Sequence, residues 1–164
     1  MSIGNDGVYV APKLLAATID ANGKRHDADP SATHEVISPE TAATMRDMMT
    51  DVVCSDAGTG NRARLQNMLV AGKTGTSRKV QNNGPHPYVK DDGTMSYTAN
   101  FVGLIPAAQP KVTIMVSIDE PDPTSQERFG GTASAPLFAK IAELAIHELA
   151  ITPPPGDTGC IIQK

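Results

Sequence analysis

Apolar and polar positions in the first third of the chain predict a strand, a turn and a helix. Residues 7–19 form a β-rich run, and Pro12 within it favours an edge strand because proline cannot donate to a ladder. Residues 20–23, Asp-Ala-Asn-Gly, are typical of a hairpin turn, and residues 24–35 predict mostly loop. Ser38 as N-cap and Pro39 at the first helical position predict a helix that ends near Cys54. Its apolar face consists of Ala42, Met45, Met48, Met49, Val52 and Val53.

Three further strands and a second helix are predicted in the rest of the chain. The strands are expected at residues 69–80, 97–105 and 111–119, and the short connection between the last two predicts an antiparallel hairpin. The loop at residues 81–96 is expected to be mobile, and residues 120–131 form another loop. The last helix is expected at residues 134–150. Its buried side is predicted to consist of Leu137, Phe138, Ile141, Leu144, Ala145 and Leu149.

These elements favour an α+β fold, in which a short antiparallel sheet has a C-terminal helix packed on it. A Pro-Pro-Pro-Gly run follows the last helix and is expected to end it. We therefore expect one folded portion at residues 1–152 and a flexible tail at residues 153–164.

Composition and charge exclude several classes of function. The chain has 164 residues, of which 40% are hydrophobic, and a formal net charge of −4. That charge gives no electrostatic footprint for nucleic acid. No apolar run approaches the length of a membrane span, and no targeting signal opens the chain.

The cysteines and histidines show no metal-ligand spacing. Cys54 and Cys160 are too few and too far apart for a metal site, and two unpaired thiols are favoured over a disulfide. The four histidines are interpreted as solvated or capping residues: His26, His34, His86 and His147. No metal and no cofactor are expected.

The sequence V-A-G-K-T-G-T-S, residues 70–77, is the candidate site. Lys73 can fix a carboxylate as a point charge, and the hydroxyls of Thr74 and Thr76 can donate to the same anion. Gly75 carries no side chain, so an extended substrate can lie against the strand and pair with its backbone. The Thr76 N–H can stabilise an oxyanion at an acyl centre. A P-loop is rejected, because Asn67 stands where that motif needs a glycine and no helix follows the lysine.

K-T-G is one signature of penicillin-binding proteins and class A β-lactamases. Four other stretches accompany it in order: I-G-N-D-G-V-Y-V-A-P-K-L, V-V-C-S-D-A-G-T-G-N-R-A-R-L, Y-T-A-N-F-V-G-L-I-P and F-G-G-T-A-S-A-P-L-F-A-K-I. Together they resemble the C-terminal part of the transpeptidase domain of class B penicillin-binding proteins. The resemblance covers most of the chain.

The resemblance implies a partial penicillin-binding-protein or serine β-lactamase-like fold and peptidoglycan D,D-transpeptidase chemistry. In that family a serine attacks the D-Ala-D-Ala end of a stem peptide, and β-lactams are trapped at the same serine. At the matching positions, Lys73, Thr74 and Thr76 would hold the substrate or drug carboxylate, and the Thr76 N–H would form half of the oxyanion hole. The longer protein is then expected to be membrane-anchored, with this domain on the outer face of the cytoplasmic membrane among cell-wall synthesis complexes.

The nucleophile that this chemistry needs is absent from the sequence. None of the nine serines is followed by lysine three residues later, and neither S-x-N nor Y-x-N occurs. An unactivated hydroxyl is a poor nucleophile, so the chain is expected to be inactive alone and to represent the portion after the two N-terminal motifs. The helices beginning near Ser38 and Ser134 should then expose apolar faces, which favours self-association, complementation by the missing portion or marginal stability.

Two other interpretations stay open. One is a non-catalytic ligand-binding or interaction module that keeps a carboxylate-binding strand. The other is a serine β-lactamase relative, which would share K-T-G, although the long loop after it fits the class B pattern better. An in-frame S-x-x-K and S-x-N upstream would favour the transpeptidase over the module.

Overall fold

The computed structural model describes residues 2–80 and 87–160. The chain divides into two compact units, Met1–Ala43 and Thr44–Lys164. The fold class is confirmed as α+β, since helices accompany short antiparallel sheets and the last helix packs on one of them.

Two pairs of short antiparallel strands make up most of the first unit. They are β1 (Val8–Val10), β2 (Ala17–Ile19), β3 (Arg25–Asp27) and β4 (Thr33–Glu35). β1 pairs with β4, and β2 pairs with β3. The predicted turn between β2 and β3 is confirmed, because the Asp20 carboxylate accepts the N–H groups of Asn22 at 2.9 Å and Lys24 at 3.0 Å.

The predicted strand content of this unit was partly wrong. The β-rich run at residues 7–19 is two strands interrupted around Pro12, and residues 24–35 contain β3 and β4 instead of being mostly loop. The side chains of β3 and β4 are exposed, so neither strand has the apolar alternation on which sequence-based detection depends.

The first helix, α1 (Pro39–Cys54), has the predicted start and end. The Ser38 hydroxyl accepts the N–H of Thr41 at 3.2 Å, which confirms Ser38 as the N-cap. Of the predicted apolar face, Val53 is fully buried, whereas Met48 keeps 58% of its surface exposed.

A three-stranded antiparallel sheet is the centre of the second unit. Its strands are β5 (Ala71–Arg78), β6 (Tyr97–Ile105) and β7 (Val112–Asp119), in the order β5-β6-β7. All three predicted strands and the hairpin are confirmed. The ring of Phe101 in β6 packs directly over Gly72 of β5. A glycine is needed there, because a Cβ on Gly72 would collide with the ring.

The last helix, α2 (Ala135–Glu148), packs on that face after one π-helical turn at Gly130–Ser134. Phe138 is fully buried, and its ring lies 4.8 Å from that of Phe101 between centroids. Gly103 makes room for it, since a Cβ at that position would collide with the Phe138 ring. Small side chains at Ala135 and Ala142 complete the buried stripe of the helix.

The predicted buried side of α2 was largely wrong. Phe138 is buried as expected, but Leu137 is 42% exposed, Ile141 39% and Leu144 61%, while Leu149 lies exposed beyond the helix. The helix has two apolar stripes. Ala135, Phe138 and Ala142 form the buried one, and the bulkier stripe of Leu137, Ile141 and Leu144 is exposed. The expectation that α1 and α2 expose apolar side chains is confirmed.

A disulfide joins Cys54 at the end of α1 to Cys160, so the favoured interpretation of two unpaired thiols was wrong. The segment before Cys160, which was expected to belong to a flexible tail, contacts the residues that precede β5. Both oxygens of the Asp157 carboxylate accept the N–H of Leu69 at 3.0 Å, and Gly159 forms a β-bridge with Gln66.

Several expectations concern residues outside the described ranges. These include residues 81–86, with His86 among them, and the last four residues of the chain. Within residues 2–80 and 87–160, no helix has both the length and the apolar character needed to cross a bilayer.

Candidate functional site

β5 carries all four predicted site residues in consecutive positions: Lys73, Thr74, Gly75 and Thr76. Successive side chains of a strand point to opposite faces, so the two threonines share one face and Lys73 lies on the other. Within the described part of the chain β5 pairs only with β6, which leaves its other edge without a strand. The site therefore lies on an edge strand.

The Lys73 side chain curves around the strand, so that its ammonium group contacts Thr74. Its Nζ donates to the carbonyl oxygen of Thr74 at 2.8 Å and to Thr74 Oγ1 at 3.5 Å. The side chain of Lys73 is exposed. The cation and the Thr74 hydroxyl are thus brought together although their side chains start on opposite faces.

Thr74 also contacts the turn that follows α1. Its hydroxyl lies 2.9 Å from the hydroxyl of Thr59, across 15 residues of sequence. The turn around Thr59 is closed by backbone hydrogen bonds on both sides, from Gly58 N–H to Ser55 O at 2.9 Å and from Gly60 N–H to Val52 O at 3.0 Å. Thr59 is therefore held against β5 by the end of the helix.

Gly130 and Gly131 lie against the other side of the same strand region. The Gly130 N–H donates to Thr76 Oγ1 at 3.1 Å. A Cβ on Gly130 would collide with the carbonyl oxygen of Gly75, and a Cβ on Gly131 would collide with that of Thr59. Because any side chain would separate these segments, the glycine pair is required for their close approach.

Gly75 differs from this pair. A Cβ built on it would meet only the Cβ of Asn100, at 3.6 Å, which is an ordinary contact distance. No described part of the chain therefore requires a glycine at this position of the strand.

Two further contacts fix the segment that carries the glycine pair. Arg62 donates to the Glu127 carboxylate at 2.9 Å and to the Thr132 carbonyl at 3.4 Å. The buried hydroxyl of Ser134 donates to the Ala99 carbonyl at 2.9 Å. These bonds link residues 127–134 both to the turn after α1 and to β6.

Charged side chains cluster beyond the C-terminal end of β5. Lys79 Nζ lies 2.8 Å from the Asp119 carboxylate and 3.2 Å from that of Glu120. Lys79 forms a hydrogen bond with each carboxylate, and these bonds hold the pKa of Asp119 and that of Glu120 below their ordinary values. The same two bonds raise the pKa of Lys79. This lysine is engaged in its own ion pairs, whereas the hydrogen bonds of Lys73 to other described residues go to neutral groups.

The sequence analysis predicted the four site residues of β5 but not the three residues that contact them from other segments. Thr59, Gly130 and Gly131 were noted only as parts of stretches that carried a family resemblance. Two glycines at the entrance of a predicted helix and a Gly-Thr-Gly turn at the exit of another were the available signals. Neither signal says that both segments meet on one strand.

Comparison with known proteins identifies relatives along nearly the whole chain. The sequence profile described as the penicillin binding protein transpeptidase domain matches residues 1–143. Penicillin-binding protein PbpB of Mycolicibacterium smegmatis is 35% identical over 162 residues, covering 94% of this chain and 24% of that protein. Stage V sporulation protein D of Bacillus subtilis is 33% identical over 151 residues, covering 91% of this chain and 22% of that protein. The chain thus spans about a quarter of the length of these relatives.

Solved structures show the same relationship. Penicillin binding protein 3 from Mycobacterium tuberculosis, crystallised with aztreonam, matches with a TM-score of 0.76 and 31% identity over 97% of this chain and 35% of that one. The transpeptidase domain of Burkholderia pseudomallei penicillin-binding protein 3 matches with a TM-score of 0.65 and 32% identity, over 93% of this chain and 40% of that one.

Proposed function

Because this chain belongs to the penicillin binding protein transpeptidase family, we propose that β5 is the strand on which the complete domain holds a carboxylate ligand. The ligand is the D-Ala-D-Ala end of a peptidoglycan stem peptide or a β-lactam. The chemistry of the complete domain is then serine-dependent acyl transfer between stem peptides during cell-wall synthesis.

The observation that carries this proposal is the clustering of one cation and one hydroxyl at the free edge of β5. Lys73 Nζ is 2.8 Å from the Thr74 carbonyl and 3.5 Å from its hydroxyl, so an anion at this edge meets both groups. A lysine ammonium has three donors, and its bonds here go to neutral acceptors that a carboxylate can replace.

The orientation of the strand supports a role for the Thr76 amide. The Thr74 carbonyl accepts from Lys73, which places that carbonyl at the accessible edge. In a strand, the backbone groups of residues two positions apart point to the same edge, so the Thr76 N–H is expected to point there too. An amide at this edge can pair with an extended ligand or stabilise an oxyanion.

Gly75 lies between these groups and leaves space for the ligand. Among the described residues, a Cβ there would meet nothing closer than the Asn100 Cβ at 3.6 Å, so none of them requires the glycine. Close approach of a ligand backbone is a sufficient reason for it.

By itself the chain is expected to bind without catalysing. The sequence contains no S-x-x-K, so no serine has the neighbouring lysine that would activate it. Catalysis therefore needs an N-terminal portion that supplies this motif, and the longer protein is expected to be anchored to the cytoplasmic membrane. The relatives reported above are penicillin-binding and sporulation proteins, which favours a transpeptidase over a β-lactamase.

A titration of the ¹⁵N-labelled chain with N-acetyl-D-Ala-D-Ala, followed by NMR, tests the proposal. The amide signals of residues 73–76 are expected to shift, and the methyl ester of the same peptide is expected to bind much more weakly. Lys73→Met should raise the Kd by at least about tenfold, because it removes a charged hydrogen-bond donor. Lys111→Met is the matched control, since Lys111 is exposed and lies outside the strands. Equal binding of acid and ester would contradict the proposal.

A further inference from the structure

The contact between Thr59 and Thr74 adds a residue to the site that lies outside β5. We propose that Thr59 is a positioning residue, whose hydroxyl donates to Thr74 Oγ1 and thereby leaves the Thr74 proton free for the carboxylate ligand. This inference rests on the proposed function of β5. It concerns the turn between α1 and β5, which lies outside the Lys73–Thr76 motif.

Each hydroxyl has a single proton, which allows two directions for the hydrogen bond between them. A threonine hydroxyl has one proton to donate and two lone pairs that accept. Thr74 Oγ1 lies 2.9 Å from Thr59 Oγ1 and 3.5 Å from the donor Lys73 Nζ. If Thr74 donates to Thr59, it has no proton left for an anion. If Thr59 donates, Thr74 accepts from both neighbours and its proton points away from them.

A bound carboxylate favours the second arrangement. A carboxylate accepts hydrogen bonds and cannot donate, so each hydroxyl at the site has to present its proton. Thr74 can do so only when Thr59 supplies the proton shared between them. A hydroxyl that accepts while it donates is also polarised, which strengthens the bond it gives to the anion.

The position of Thr59 is set by backbone contacts that do not depend on its side chain. Gly58 and Gly60 close the turn through bonds to Ser55 O and Val52 O. The carbonyl oxygen of Thr59 lies so close to Gly131 that a Cβ on that glycine would collide with it. Replacing the Thr59 side chain should therefore leave the turn in place, which separates positioning from folding.

A purely structural role makes a different prediction. If Thr59 only ties the turn to β5, then any loss of its hydroxyl lowers stability and changes binding only through that loss. If Thr59 orients the Thr74 proton, the loss matters only while Thr74 has a hydroxyl. The two roles differ in a double-mutant cycle.

The experiment compares Thr59→Val and Thr59→Ser in the NMR titration with N-acetyl-D-Ala-D-Ala. Thr59→Val keeps the shape of the side chain and is expected to raise the Kd by about 3- to 10-fold, whereas Thr59→Ser keeps the hydroxyl and is expected to bind within about twofold of the parent chain. In a Thr74→Val background, Thr59→Val should cause no further change. Thr59→Ala provides a second hydroxyl-free variant if the valine perturbs the turn.

Three outcomes overturn the inference. Equal affinity of the parent chain and Thr59→Val contradicts it while leaving the proposed function of β5 intact. The same holds if Thr59→Val weakens binding equally with and without the Thr74 hydroxyl. If the parent chain does not bind the peptide at all, the proposed function fails together with this inference.

Discussion

The backbone N–H of Gly130 donates to Oγ1 of Thr76 at 3.1 Å, although 54 residues separate them. The same glycine has no room for a side chain beside the carbonyl of Gly75. The turn that begins the last helix is thus seated directly on the strand with the candidate site. Any change that separates them should affect both folding and the position of the Thr76 hydroxyl.

Gly130→Ala is therefore expected to lower the free energy of unfolding by about 1–3 kcal/mol, which is the usual range for overpacking a tight contact. Gly75→Ala is the matched control, because its new Cβ would lie 3.6 Å from the Asn100 Cβ and collide with no residue that the structure describes. The control should keep most of its stability but weaken peptide binding. Urea denaturation measures the stability of both variants, and the NMR titration measures their peptide binding. Equal destabilisation by both variants would contradict the different roles given to Gly130 and Gly75.

Incubation of the chain with excess benzylpenicillin should produce no covalent adduct in the intact mass. The reason is the absence of a serine followed by lysine three residues later. A penicillin-binding protein with an intact nucleophile, treated in parallel, should gain the mass of one drug molecule. A stoichiometric adduct that disappears when one serine or threonine is replaced would show that the chain has a nucleophile of its own.

Reduction of the disulfide should destabilise the chain substantially. Cys54 and Cys160 are 106 residues apart, and closing a loop of this length is expected to contribute about 4–5 kcal/mol in the chain-entropy account. Urea midpoints with and without dithiothreitol measure the loss. The Cys54→Ser, Cys160→Ser double variant should match the reduced chain and should not respond to the reductant, whereas an unchanged midpoint on reduction would contradict the role of the bond.

The exposed apolar side of α2 should promote self-association of the isolated chain. Leu137, Ile141 and Leu144 line this side and remain 39–61% exposed. Leu144→Gln is expected to lower the sedimentation-derived association constant, because it removes apolar surface from a contiguous patch. Glu143→Gln, one position away, is the control. A parent chain that is monomeric at all concentrations, or a Leu144→Gln variant that associates as strongly as the parent, would contradict self-association through this side of α2.

Lys79→Met should reduce stability at neutral pH but not in acid. Lys79 lowers the pKa of Asp119 and Glu120 in the folded chain. A group whose pKa is lowered by folding contributes stability above its unfolded pKa and loses it as the pH falls through the folded value. The difference from the parent chain should therefore be present at pH 7 and shrink below about pH 4. Lys111→Met, which removes the same charge, should show no such change in urea denaturation.

The strands of the three-stranded sheet and the start of α1 could be predicted because their signals are local. The alternation in β7 and the N-cap at Ser38 each depend on a few neighbouring residues. The buried side of α2 could not be chosen in this way, since both stripes are apolar. The choice depends on Gly72 and Gly103, whose missing side chains admit Phe101 and Phe138 on one face of the sheet. The residues that determine the buried side of α2 therefore lie in β5 and β6, not in the helix itself.

In the candidate site too, the local motif could be predicted from the sequence and the long-range contacts could not. Lys73 to Thr76 form one contiguous motif whose residue types indicate carboxylate binding. The contacts of Thr59 and Gly130 with that motif span 15 and 54 residues and leave no trace in the spacing of the sequence. The disulfide was missed for a related reason, because two cysteines without a framework do not specify their own pairing.

The disulfide also makes the greater part of the chain a covalent ring. β5, the turn around Thr59 and the glycine pair all lie between Cys54 and Cys160. A protease that cuts this ring once, for example in the connection between β5 and β6, leaves both pieces in one molecule whose mass grows only by a water. The nicked chain can therefore keep β5 and the glycine pair in one molecule, and the cut becomes visible as two fragments only after reduction.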